Sequence, residues 1–130
     1  MTSAYNDSTK KLQMFHNCLH KIFAPIVSMQ RSQKGFEEII NGKIYWFIPF
    51  VAMCLLDWPE ACTYCMTYNC YNCLHPCHFC LIERENLNNM QLHSDQIILR
   101  THTTMQQAIQ NELGKENSIH LLNNFFWEFR

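Results

Sequence analysis

Residues 36–80 read FEEIINGKIYWFIPFVAMCLLDWPEACTYCMTYNCYNCLHPCHFC, and most expectations for the chain follow from this stretch. Its first apolar run is split by Asn41-Gly42. That dipeptide suits a two-residue type I′ turn, because both central residues take positive φ. The pattern predicts a hairpin with arms Phe36–Ile40 and Lys43–Ile48. Pro49 cannot donate to a ladder, so it interrupts the second arm or forces a bulge. Phe50–Leu56 is then expected to run on as a buried strand. Asp57-Trp58-Pro59-Glu60 has the composition of a helix start. Asp57 serves as N-cap, a proline sits in the first turn, and Glu60 is placed to complete a capping box. The helix is expected to continue from Ala61 toward Tyr68.

The second half of the stretch carries the chemistry. Six cysteines form three Cys-x-x-Cys pairs, Cys62/Cys65, Cys70/Cys73 and Cys77/Cys80, with His75 and His78 among them. Two such pairs supply the four soft ligands of tetrahedral zinc, so zinc is the expected cofactor. Disulfides, an iron–sulfur cluster and inert thiols are the rival readings. The N-terminal MTSAYNDSTKK has no apolar signal region, which predicts a nuclear or cytoplasmic protein with reduced thiols rather than a secreted one.

Among the ligands, Cys77 and Cys80 rank first. Pro76-Cys77-His78-Phe79-Cys80 is a tight knuckle in which backbone N–H groups reach the first thiolate. Cys62 and Cys65 follow, sharing one helix face at i, i+3, and read equally well as small core residues. They leave eleven residues before Cys77, whereas Cys73 leaves three, so Cys73 and Cys70 come next. His102, in Leu99-Arg100-Thr101-His102, can close the sphere from the far side. His78 is expected to point to solvent, and Cys18 and Cys54, inside apolar segments, to be packing residues. No cysteine-nucleophile signature is present. A thioredoxin-like reading of Cys62/Cys65 is opposed by the four cysteines downstream.

Beyond this stretch, residues 1–7 read as a polar lead. From Ser8, a stripe of Leu12, Phe15, Leu19 and Ile22 predicts a helix ending before Pro25, with Lys10, Lys11, His16, His20 and Lys21 on its other faces. Two further helices are expected at about 103–113 and 119–129. The 48% hydrophobic content excludes a disordered chain, and a net charge of −1 gives no bulk electrostatic footprint for nucleic acid. Ile44–Leu56, thirteen residues with a proline, is too short to cross a membrane. Nine Phe, five Tyr and three Trp imply apolar surface that further polypeptide would cover, or through which the chain self-associates. The fold class is α+β in one partial domain. Its parts are an N-terminal helix and linker (1–35), a hairpin and buried strand (36–60), a helix and zinc-held Cys-rich loop (61–89), and C-terminal helices (90–130).

The segments IPFVAMCLLDWPEACTYC, PCHFCLIERENLNN, IILRTH and NNFFWEFR together resemble the Plavaka group of fungal DNA transposases, within the Kyakuja–Dileera–Zisupton superfamily. The likeness runs from about Phe15 to Arg130. It implies an RNase H-like sheet, incomplete here, to which the hairpin and strand belong, and a cysteine-bearing insertion. It also implies DNA as the partner of the full-length parent, with Mg or Mn held by acids in the complete enzyme alone. Only Asp57, at a strand end, has a setting suited to a catalytic acid, and two-metal chemistry needs carboxylates from several elements. The N-cap role accounts for Asp57 equally well. The expectation is therefore a fragment or relic from the middle of a transposase, a zinc-binding segment inactive alone. The alternative is a stand-alone zinc-dependent interaction module that docks through its aromatic C-terminus.

Overall fold

A 31-residue helix, α1 (Thr2–Ser32), opens the computed structural model, which describes residues 2–129. The hairpin β1 (Phe36–Ile40) and β2 (Lys43–Phe47) follows, then α2 (Trp58–Cys65) and α3 (His102–Gln110). Single 3-10 turns lie at Arg84–Asn86, Ser94–Gln96 and Phe125–Glu128. The architecture is α+β, as expected.

Helix α1 departs from expectation at both ends. It begins at Thr2 rather than after a polar lead, and it continues through Pro25; Met1 lies outside the described residues. Near its start, Lys11 pairs with Asp7 one turn away at 2.7 Å, a small local stabilisation. Pro25 removes one backbone donor, but packing on both sides of it offsets that loss. Leu19 before it and Val27 after it are buried with Phe125, and Phe15, Phe23, Tyr64, Phe126 and Phe129 pack around them. The buried line is thus Phe15, Leu19, Phe23 and Val27, every fourth residue, while Ile22 is 67% exposed.

His16, expected on a solvent face, is 2% exposed. Its Nε2–H donates to the Thr63 carbonyl (3.1 Å) and its Nδ1 accepts from the Phe125 N–H (3.3 Å). A carbonyl can only accept, so the tautomer is fixed and both nitrogens are satisfied. That permits a neutral imidazole to be buried, where it ties α1 to α2 and to the C-terminal aromatic segment.

The hairpin forms as predicted, with β2 ending one residue short at Phe47. It pairs Phe36 with Phe47 through Ile40 with Lys43, and Asn41 (φ 53°) and Gly42 (φ 76°) supply the two positive φ values. At its base, a Cβ on Gly35 would stand 1.9 Å from the Phe47 carbonyl oxygen, so the close approach of the two chains requires glycine there. Every hairpin residue is exposed. The expected buried strand Phe50–Leu56 does not form: residues 48–57 are irregular, and Phe50, Met53 and Leu55 are 71%, 73% and 87% exposed. A strand needs a neighbour for its backbone groups. Pro49 ends the hairpin ladder, and among the described residues no other strand receives this segment.

Helix α2 stops at Cys65 because the buried Met66 takes a left-handed conformation (φ 61°) and Thr67 pairs with Ile119. The same pairing removes most of the helix expected over 119–129. Tyr68 N–H donates to the Ser118 carbonyl (2.9 Å) and His120 N–H to the Met66 carbonyl (2.8 Å), which holds the chain extended there. Helicity resumes only as the 3-10 turn at Phe125, capped by Asn124, whose Oδ1 accepts from the Phe126 N–H (2.8 Å). Helix α3 matches its expectation closely. Thr101 caps it, and its Met105 and Ala108 form a second core with Ile119, flanked by Ile109 and Trp127.

Burial holds the pKa of His16 below its ordinary value, with the Thr63 hydrogen bond partly opposing the shift. The unfolded chain then binds more protons at moderately acid pH, so this contribution to stability is complete above the unfolded pKa near 6.5 and is lost as pH falls below it. His16→Gln should weaken this acid dependence in urea denaturation followed from pH 7.5 to 5. His16→Ala, which leaves the Phe125 N–H unpaired and empties the space of the buried ring, should cost about 2–4 kcal/mol at neutral pH.

Candidate metal centre

The Pro76–Cys80 knuckle is built from its backbone. Phe79 N–H donates to Cys77 Sγ at 3.4 Å, the contact anticipated from the spacing, and the backbone of Ile82 favours the anionic form of Cys80. The thiol of Cys77 also acts on that of Cys80, disfavouring its anionic form. Opposite runs the segment Ile98–Arg100: Cys80 bridges Leu99, Leu81 N–H donates to the Ile98 carbonyl (2.8 Å) and Arg100 N–H to the Phe79 carbonyl (2.8 Å). N–H groups aimed at sulfur stabilise thiolates and leave the outer face of each sulfur open to a cation.

Arg100 adds its side chain to this frame. Nε–H donates to the Cys77 carbonyl (2.9 Å) and an Nη2–H to the His75 carbonyl (3.0 Å), while Nη1 lies 3.8 Å from Met105 Sδ. Among the described residues no carboxylate pairs with this half-buried guanidinium. Burial lowers its pKa, and the thiols whose charge acts against that shift are those of Cys77, Cys80, Cys73 and Cys65. The sequence offers one cue to this role, a lone cation in an otherwise apolar Ile97-Ile98-Leu99-Arg100 run.

The predicted ligands are therefore placed unequally. Cys77, Cys80, Cys73 and Cys65, from three parts of the chain, all lie within electrostatic reach of one guanidinium. Cys62 is wholly buried in α2 one turn before Cys65, and Cys70 is exposed on the turn closed by Cys73 N–H to the Cys70 carbonyl (3.2 Å). His102 opens α3 with its ring stacked 5.5 Å from Trp127. It lines a cavity of about 400 Å³ together with Cys65, His78 and Arg100. Cys18 and Cys54 are exposed rather than packed, since the faces that carry them have no covering element among the described residues. His78 does not point to solvent: it meets Trp58 edge-on at 5.0 Å, and its enclosed Nδ1 has no hydrogen-bond partner. Burial, with Arg100 adding to it, lowers its pKa. His75 Nδ1 is likewise enclosed and unpartnered.

Burial raises the Cys65 thiol pKa, with Cys62 adding to the shift and Arg100 opposing it. Burial also raises that of Cys80, against the pull of the Ile82 backbone. Without a cation these thiols are thus held protonated. Among the described residues, no three His, Cys, Asp or Glu side chains are gathered closely enough to hold a metal ion. Cys77 and Cys80 share the knuckle, and they are not joined there by a third such side chain. The knuckle N–H to sulfur bond and the orphaned imidazole nitrogens beside it have the donor chemistry that suits a thiophilic cation.

Asp57 stands exposed at the end of the irregular segment, and its Oδ1 accepts from the Glu60 N–H at 2.9 Å. This is the N-cap bond expected, with Pro59 in the first turn.

A family model described as Plavaka transposase matches residues 2–129, nearly the whole chain. No curated protein and no solved structure matches it.

If capping is the whole contribution of Asp57 to folding, Asp57→Asn and Asp57→Ser should lie within about 0.5 kcal/mol of the parent chain. Asp57→Ala should cost about 1 kcal/mol. Urea denaturation of the three variants measures both.

Proposed function

Because the chain belongs to the Plavaka transposase family, we propose that it is a segment of a transposon-encoded DNA transposase, with a zinc-binding role in the catalytic region and no DNA cleavage of its own. The observation that carries the zinc assignment is the knuckle, where the Phe79 N–H donates to the sulfur of Cys77 and Cys80 follows three residues on. Cys65 and Cys73, the other thiols within electrostatic reach of Arg100, are the best-placed remaining ligands. Cys62 lies one helical turn before Cys65, and Cys70 and His102 are the remaining candidates. Zinc on these residues would supply apparent binding free energy of about 10 kcal/mol to a fold whose two cores are small.

DNA is the partner of the complete parent, which works in the nucleus. There, Asp57 would join acids from other elements to hold Mg or Mn. The hairpin and the segment running from it to Asp57 are read as part of an RNase H-like sheet that other polypeptide completes. Support comes from the exposure of Ile39, Ile44 and Trp46 on one hairpin face and of Phe50, Met53 and Leu55 beyond it. An independent zinc module would bury such residues, so the same exposure disfavours that alternative and favours self-association of the isolated chain. No helix among the described residues is long and apolar enough to cross a membrane.

Elemental analysis of the purified chain should find about one zinc per chain, and Cys77→Ser/Cys80→Ser should lose it; zinc retained by that variant overturns the assignment. Supercoiled DNA incubated with Mg²⁺ or Mn²⁺ should remain intact. Metal-dependent nicking that disappears in Asp57→Ala would show instead that the chain is catalytic alone.

A further inference from the structure

Both outer edges of the hairpin are open. Strands β1 and β2 pair only with each other, and among the described residues no backbone hydrogen bond outside their own ladder engages residues 36–47. A two-residue turn is flanked by a hydrogen-bonded pair, here Ile40 with Lys43, and the two kinds of pair alternate from there along the register. Lys43, Tyr45 and Phe47 therefore turn their backbone groups inward to β1, while Ile44 and Trp46 turn theirs outward. On β1 the outward residues are Glu37 and Ile39. Such a row of unpaired N–H and C=O groups is a template for another strand.

The two edges differ in what they set against an incoming copy. Two-fold antiparallel pairing through β1 matches Glu37 with Ile39 and puts Glu38 opposite its own counterpart. That central position is a non-hydrogen-bonded pair, where side chains stand closest, so two like charges meet there. The same pairing through β2 matches Ile44 with Trp46, Lys43 with Phe47, and Tyr45 with its counterpart at the centre. No like charges meet, and aromatic with β-branched is a favourable cross-strand pair. Charge and register therefore select the β2 edge.

We propose that the chain associates as a two-fold dimer in which the β2 strands of two copies pair antiparallel about Tyr45. The product is one sheet in the order β1, β2, β2, β1. Ile44 and Trp46 of each copy exchange both of their outward backbone bonds with Trp46 and Ile44 of the other, and these exposed side chains gain contact across the seam. The joined sheet passes beyond the two strands that are marginal in water. Glu37 and Glu38 then lie on both of its outer edges, where charge discourages a further strand and closes the assembly at two copies. This rests on the self-association inferred above from exposed apolar side chains and deepens it by naming the edge, the register and the partner.

The test is sedimentation equilibrium of the full chain, kept reduced, over a concentration series in parent, Tyr45→Lys, Tyr45→Glu and Glu38→Gln forms. The parent should pass from monomer to dimer and stop there. Tyr45→Lys sets two ammonium groups against each other at the centre of the seam and should weaken the dimer about 5- to 30-fold. An equimolar mixture of Tyr45→Lys and Tyr45→Glu should recover it as a mixed dimer, which a folding defect in either variant could not do. Glu38→Gln should leave the dimer as it is. A parent-like dimer in Tyr45→Lys, or no recovery in the mixture, overturns the proposal. So does a dimer tightened by Glu38→Gln, which would place the contact on β1, and so does growth beyond two copies, which would mean β1 of one copy on β2 of the next. A parent that stays monomeric throughout overturns the self-association reading itself and leaves the edge to a different polypeptide. A parent that associates regardless of the Tyr45 variants overturns this inference alone.

Discussion

The imidazole of His16 is the constraint on which the arrangement of the chain depends. Helix α1, helix α2 and the C-terminal aromatic turn come from the two ends and the middle of the sequence, and its two nitrogens bond one backbone group from each of the latter two. Around it, Phe15, Tyr64, Phe125 and Phe126 meet edge-on or stacked at ring distances of 5.1–5.4 Å. Hydrophobic burial supplies most of the driving force, but it is non-directional. The histidine supplies direction, because only one rotation of α1 offers both of its nitrogens to their partners.

From that junction the structure divides into a packed side and an unpacked one. On the packed side, Met66 turns the chain out of α2, Thr67 meets Ile119, and α3 closes over Ile119. The same turn leads from α2 into the cysteine loop, so the thiol of Cys65 and the knuckle are brought toward Arg100 by elements whose positions the core already sets. On the unpacked side, the hairpin and residues 48–57 carry some of the largest apolar side chains in the molecule with little beneath them. A two-stranded hairpin is marginal in water by itself.

What the sequence made legible was local chemistry. Asn41-Gly42 specified its turn, Asp57 its cap, and Pro76-Cys77-His78-Phe79-Cys80 its N–H to sulfur contact, each through groups within a few residues. What it concealed depended on partners far along the chain. Phe50–Leu56 has strand composition, yet composition cannot supply the neighbouring strand. Residues 119–129 carry a helical pattern, yet Thr67 claims Ile119 for a bridge across more than fifty residues of sequence. His16 lies between lysines in the sequence and was read with them, because its acceptor and donor are 47 and 109 residues away. Arg100 shows in the sequence only as a lone cation in an apolar run, because its partners are carbonyls more than twenty residues earlier.

Helix α1 also contains two regimes of stability in one continuous rod. At 1.5 Å per residue it extends about 46 Å, yet its contacts with the core lie between Phe15 and Val27. From Asp7 to Met14 no residue is buried. Those turns depend on propagation from the anchored part and on weak exposed pairs such as Asp7 with Lys11, so they open locally without disturbing the junction at His16. Amide hydrogen exchange along the helix would therefore rise in protection from its first turns to a plateau at the core contacts. Residues 7–14 can then reshape themselves against a neighbour while the aromatic core stays as it is.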